Sequence, residues 1–206
     1  MSGDPLWLAG YLVAYAIVHS LLATDAVKIR FKRVFPRLFP IYRLAYTTFS
    51  VVTLVPLIPI LARSPSLYQI EAPIAYLLRI LQIVGGVGFL LSLKAIDLGL
   101  FVGLRSPIPV EPSDIDQQAP ELSTAGPYGL CRHPLYFFAS LFLTAHPLVS
   151  QAYAIFTGWT VAYFWFGSWI EERRLINTFG DTYLEYRDRV PHFFPIPYKK
   201  KADSSN

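Results

Sequence analysis

Charge is scarce in this chain: Asp, Glu, Lys and Arg make up 16% of its 206 residues, against roughly 25% in soluble domains. That shortage excludes an ordinary water-facing surface. Cysteine is nearly absent, with Cys131 standing alone, which excludes an intrachain disulfide and a cysteine-built zinc cage. No basic stretch precedes the first apolar run, only Ser2, Gly3 and Asp4, so that run reads as a retained span and not as a cleaved leader. The net charge of +4 forms no single basic face. Lys and Arg instead flank apolar runs, and nucleic acid is not an expected partner.

What the chain has in quantity is hydrocarbon: 53% of its residues are hydrophobic and its mean hydropathy is +0.40. A helix rises 1.5 Å per residue, so about 20 apolar residues cross a ~30 Å hydrocarbon core. On that measure the apolar runs at about 6–23, 41–62, 72–93, 135–149 and 152–170 predict an all-α, polytopic bundle of about five transmembrane helices. A single integral-membrane domain over 1–206 is expected. The segment Thr24–Pro40 carries Lys28, Arg30, Lys32, Arg33 and Arg37 against Asp25, and by the positive-inside rule it lies on the cytoplasmic side. Arg173, Arg174, Arg187, Arg189 and Lys199 to Lys201 put the C-terminal segment there as well. Five crossings then leave the N-terminus outside, and a plasma membrane is the default location.

Inside the spans, Pro56 and Pro59 predict a kink. Gly85, Gly86 and Gly88 follow no strand, which rules out a dinucleotide loop and favours close helix packing. Arg79 and His19 are weak pocket candidates beside their readings as packing or snorkelling groups. No metal site is expected. The long connection at 94–134 is polar and proline-rich, with Pro107, Pro109, Pro112, Pro120 and Pro127 among Asp114, Asp116 and Glu121. Loops of that length are commonly functional.

Two constellations could carry chemistry. Residues 126–136 read Gly-Pro-Tyr-Gly-Leu-Cys-Arg-His-Pro-Leu-Tyr. Pro134 suits the first turn of a helix, and a helix N-terminus beside Arg132 and His133 favours an anion. The plain alternative is a snorkelling arginine. Glu171 and Glu172 then close the aromatic run 163–169. Carboxylates at that depth need a reason, which could be a ligand or simply a salt bridge to Arg173 or Arg174. Together the two sets suit a ligand bearing both a carboxylate and a cation.

At these residues the chain resembles a family of integral-membrane methyltransferases. That family includes isoprenylcysteine carboxyl methyltransferase, phospholipid methyltransferases, methanethiol S-methyltransferase and NnrU-like proteins. The resemblance rests on Gly126, Tyr128, Arg132-His133-Pro134-Leu135-Tyr136, Glu171-Glu172, the run Phe179-Gly180-Asp181-Thr182-Tyr183-Leu184-Glu185-Tyr186, Arg189-Val190-Pro191 and Pro195. It is strongest from about Glu121 to Pro195. Upstream, His19-Ser20-Leu21-Leu22, Tyr42-Arg43-Leu44 and Gly103-Leu104-Arg105 are similar to the NnrU and methanethiol branch.

The resemblance implies S-adenosylmethionine as methyl donor, held at Glu121, Leu122, Ser123, Tyr128, His133, Pro134, Leu135, Tyr136 and one of Glu171 or Glu172, in a cofactor-binding cytoplasmic C-terminal segment. Arg132 and the helix N-terminus are expected to hold the donor's carboxylate. The implied acceptor is a small thiol, a prenylcysteine-like carboxylate or a membrane lipid, entering between spans. Gly167-Ser168-Trp169 stands where the isoprenylcysteine enzymes carry a basic residue, which counts against the prenylcysteine acceptor. Methyl transfer from a sulfonium relies on alignment and dryness more than on strong acid or base help, and no residue is assigned as base. The alternative function is a non-enzymatic membrane accessory or sensory protein of the NnrU kind. Oligomeric state is not legible.

Overall fold

The computed structural model describes residues 5–104 and 122–196. Glu121, Asp114, Asp116, the prolines from Pro107 to Pro120 and the Lys199 to Lys201 tail lie outside the described residues. The described chain is dominated by helix: α1 (Pro5–Ala23), α2 (Asp25–Val34), α3 (Tyr42–Val52), α4 (Leu57–Arg63), α5 (Ile74–Lys94), α6 (Leu98–Val102), α7 (Pro134–Thr144), α8 (Gln151–Phe179) and α9 (Asp181–Arg189). Two short strands, β1 (Ser66–Gln69) and β2 (Leu148–Ser150), pair antiparallel.

Among the described residues three helical stretches are long and apolar enough to cross a membrane: Pro5–Ala23, Phe39–Arg63 and Ile74–Lys94. They match the first three predicted spans. The later pair is built differently from the expectation: α7 ends at Thr144, and 148–150 form a strand before α8 begins. Pro147 cannot supply the N–H that a continuing helix requires. The basic segment after the first span is also not a plain loop. Residues 25–34 form α2, capped by the Thr24 hydroxyl, which accepts from the Val27 N–H. Asp25 in the first turn and Lys32 and Arg33 in the last match the helix dipole.

The chain divides into two compact units, the first drawn from the described parts of 1–70, 97–120 and 148–159. Its core is Leu8, Leu12, Leu57 and Ala152, with Tyr11, Leu54, Phe156 and Trp159 packed around them. The expected kink lies between α3 and α4, where the amides of Leu54, Val55, Leu57 and Ile58 bond three residues back instead of four. Pro56, with no N–H to donate, accounts for the tightened turn. His19 is matched at both ring nitrogens: Nδ1 meets Ser50 Oγ at 2.9 Å and Nε2 meets the Tyr46 hydroxyl at 2.8 Å. Gly103 has φ of +87° and lies so near Leu44 that a Cβ there would meet its amide nitrogen at 2.5 Å.

The second unit is drawn from the described parts of 71–96, 121–147 and 160–206. Its centre is the contact of α5 with α7. A Cβ on Gly85 would stand 2.7 Å from the Phe142 amide nitrogen, and one on Gly88 would overlap the Phe138 ring. Close packing is therefore what these glycines permit. Arg79 donates to Gln82 Oε1 at 2.9 Å, and Gln82 donates on to the Phe142 carbonyl. The charge in this span is thus part of the same helix contact, while Leu77, Ile80, Ile83 and Leu90 are exposed, as a lipid-facing surface would be.

Candidate active site

The site grows from the entry into α7. Gly126 adopts φ of +60° and opens a short 3-10 turn over Gly126–Gly129. From there the chain runs beside the C-terminal segment: the Arg132 amide donates to the Pro191 carbonyl at 2.9 Å, and the His133 amide to the His192 carbonyl at 3.2 Å. Pro134 then occupies the first turn of α7, as its fixed φ and missing donor favour. The amides of Leu135 and Tyr136 belong to that same first turn, which has no intrahelical acceptors for them. From α9, Tyr186 donates to the Tyr128 carbonyl at 2.6 Å, tying the turn to the tail.

Arg132 and Glu172 form the buried anchor of the site. Nε and Nη2 of Arg132 both reach Glu172 Oε1 at 2.6 Å, with side-chain exposures of only 8% each. Arg132 Nη1 donates to the carbonyls of Arg187 and Val190, and the fully buried Tyr183 hydroxyl donates to Glu172 at 3.3 Å. Burial alone would push the Glu172 carboxyl up, but contact with His133 and the Arg132 charge outweigh it and hold it at about 2. The carboxylate is ionised at every physiological pH.

Glu171, half-exposed, faces the other way. Its Oε2 lies 3.6 Å from His133 Nδ1, and the Tyr136 hydroxyl also approaches it. The Tyr136 ring stacks between those of His133 and Phe164, at centroid distances of 5.7 and 4.9 Å. Burial would lower the His133 imidazole, but the Glu171 and Glu172 carboxylates outweigh it and raise it. Burial and the Glu171 charge push Tyr128 up to about 12. Cys131, fully buried, is pushed up to about 11 chiefly by burial, which leaves its thiol protonated and without a nucleophilic role.

A second imidazole comes from the tail. His192 Nε2 lies 3.8 Å from Glu172 Oε1, and the His192 ring stands 5.0 Å from that of His133. Trp169 and Trp165 cover it at centroid distances of 4.4 and 5.6 Å. Burial, reinforced by His133, lowers His192 to about 4, so its ring is neutral near pH 7. His133, Glu172 and His192 offer ligand atoms within 4.8 Å of one another.

Known proteins are similar to this chain in sequence. The phospholipid methyltransferase family matches residues 111–182. Methanethiol S-methyltransferase 2 of Bradyrhizobium diazoefficiens is 30% identical over 191 residues, covering 91% of this chain and 71% of that protein. The chain belongs to this membrane methyltransferase family. Methanethiol S-methyltransferase 1 of the same organism is 27% identical over 188 residues, and the chain spans 64% of its length. The enzyme of that name from Pseudomonas deceptionensis is 27% identical over 195 residues, with 70% of it covered. No solved structure matches the chain significantly.

Within this chain, the residues singled out from sequence do not all gather at one point. Tyr128, Arg132, His133, Pro134, Leu135, Tyr136, Glu171 and Glu172 come together through the contacts above. Ser123 donates to the Ala95 carbonyl at 2.9 Å, which ties the preceding strand of chain to the end of α5, and Leu122 is half-buried beside it. Glu121 is outside the described residues. Glu172 pairs with Arg132, not with the neighbouring Arg173 or Arg174 suggested by its plain reading. His192 escaped the sequence reading altogether, as did the anchoring duty of Tyr183. A titratable ring directly after Val190-Pro191 and before Phe193-Phe194 was the available signal.

Proposed function

We propose that the protein transfers a methyl group from S-adenosylmethionine to a small or lipophilic acceptor at the membrane, a thiol being the first choice. The observation that carries this reading is the set of groups around Glu171. A half-exposed carboxylate stands beside His133 and Tyr136 at a helix N-terminus, in a chain whose relatives bear the name methanethiol S-methyltransferase.

The donor set suits a ligand with a carboxylate at one end and cationic centres elsewhere. The first-turn amides of Leu135 and Tyr136, with the α7 dipole behind them, favour the donor's carboxylate. Glu171 holds its ammonium or ribose hydroxyls, and the Tyr136 and Tyr128 rings offer π faces to the sulfonium. When bound, S-adenosylmethionine supplies a methyl group on a leaving sulfur that is already activated. Arg132 has its hydrogen bonds inside the protein, so its part is to hold Glu172 and the C-terminal segment in place. Glu121, Leu122 and Ser123 complete the donor site by family resemblance. In the membrane, five crossing segments put the site and the C-terminus on the cytoplasmic side of the plasma membrane, and the whole forms one integral-membrane domain.

The test is calorimetric titration of S-adenosylhomocysteine into detergent-solubilised protein, with Glu171→Ala and Tyr136→Ala beside it. Saturable binding in the parent and at least tenfold weaker binding in both variants are expected, with Glu171→Ala keeping the parent's melting temperature. Labelled methyl transfer to methanethiol, a prenylcysteine analogue and phospholipid then identifies the acceptor. A folded parent that binds no S-adenosylhomocysteine overturns the reading and favours an accessory role.

A further inference from the structure

We propose that His133, Glu172 and His192 bind one divalent, zinc-type ion whose open coordination position receives the acceptor thiolate. The thiolate part rests on the methyl-transfer reading above; the ion site stands without it.

Geometry is the first support. His133 Nε2 and His192 Nε2 lie 3.6 and 3.8 Å from Glu172 Oε1, and the three ligand atoms are mutually within 4.8 Å. Tetrahedral ligands bound at zinc distances of roughly 2.0–2.1 Å stand about 3.4 Å apart. Displacements of a few tenths of an ångström would bring the pairs with Glu172 to that spacing.

The second support is the state of the nitrogens. His133 Nε2 and both ring nitrogens of His192 are buried without a hydrogen-bond partner, whereas buried polar atoms are normally satisfied. Glu171, 3.6 Å from His133 Nδ1, is placed to hold the proton on that nitrogen, so that Nε2 is the position the ion takes, with release of any proton carried there. Carboxylates orient metal-ligating histidines in this way. Arg132 and the Tyr183 hydroxyl donate to the same Glu172 oxygen that the ion would share, and Arg132 keeps that carboxylate fixed and ionised.

Two neutral imidazoles, one carboxylate and an open position make a ligand set typical of catalytic zinc. A thiol entering that position gives up its S–H proton to water as the sulfur binds. The sulfur lone pair then forms the new bond to the methyl carbon. The bond from that carbon to the sulfonium breaks, and its electron pair stays on the departing sulfur, which becomes a neutral thioether. The methylated product is likewise a neutral thioether, a weak ligand that leaves, and the ion keeps its oxidation state. Trp165 and Trp169 pack on the His192 ring and hold it toward the cluster.

The experiment uses the full-length protein in detergent, stripped with a chelator and dialysed against zinc, with metal content read by mass spectrometry. About one zinc per chain is expected, falling at least tenfold in His192→Asn and returning in His192→Cys, whose thiolate can ligate. S-adenosylhomocysteine binding is measured on the same samples and should persist in His192→Asn. In the cobalt-substituted protein, ethanethiol should produce a thiolate-to-metal absorption band. A parent that binds S-adenosylhomocysteine but no zinc overturns the ion site alone. Zinc binding without S-adenosylhomocysteine binding upholds the ion site and overturns the methyl-transfer reading. A cobalt spectrum unmoved by thiol overturns the acceptor role, and zinc retained by His192→Asn overturns the ligand set.

Discussion

His19 and His192 belong to different units of the chain and meet opposite conditions. Each ring nitrogen of His19 faces a hydroxyl, from Ser50 or Tyr46, in a helix long and apolar enough to cross a membrane. Neither nitrogen of His192 has a hydrogen-bond partner, although the ring is largely buried beside Glu172 and two tryptophans. The first imidazole closes a structural network. The second is left open where charged groups converge, as happens at sites kept ready for a ligand.

The contrast can be broken first at its strongest point. Glu172→Ala removes one partner of the buried pair and leaves the Arg132 guanidinium uncompensated, so a loss of about 3–5 kcal/mol is expected, read as a large fall in melting temperature in detergent. An unaltered melt would show that the anchor is not structural. The same carboxylate gives the next effect through pH in metal-free protein. Its folded pKa of about 2 lies below the ordinary value, so the stability it contributes is full above about pH 4.5 and is lost as pH falls toward 2. Acid melts of the parent should steepen over that window, while those of Glu172→Gln should not.

Smaller effects sharpen the comparison. Gly88→Leu drives a side chain into Phe138 and should destabilise by roughly 1–3 kcal/mol, lowering the melting temperature by separating α5 from α7. His19→Phe in the first unit removes hydrogen bonds worth about 0.5–1.5 kcal/mol each. S-adenosylhomocysteine affinity should stay within twofold of the parent, and a tenfold loss would show that the polar network of α1 and α3 reaches the site.

Much of the architecture was legible before any coordinates. The runs that became α1, the α3–α4 stretch and α5 are long, apolar and nearly free of charge, and hydrocarbon length alone demands helix there. Pro56 marked a real break, and Gly85 and Gly88 marked a real helix contact. The later apolar runs were less legible, because hydropathy does not reveal that 148–150 pairs with 66–69. At the site, Arg132, His133, Tyr136, Glu171 and Glu172 were recognisable as a set, yet their division of labour was not. Arg132 looked like an anion ligand until Glu172 and the carbonyls of Arg187 and Val190 were found on its donors.

The sequence by itself determined the helical membrane architecture and the family, because both rest on local composition and on motifs read along the chain. Only the tertiary structure decided which carboxylate is anchored and which is half-exposed, and only it brought His192 to His133. Those outcomes depend on contacts such as Arg132 with Glu172, 40 residues apart, and on the pairing of 132–133 with 191–192. Nothing in the local chain encodes separations of that size; they follow from how α7, α8 and α9 pack.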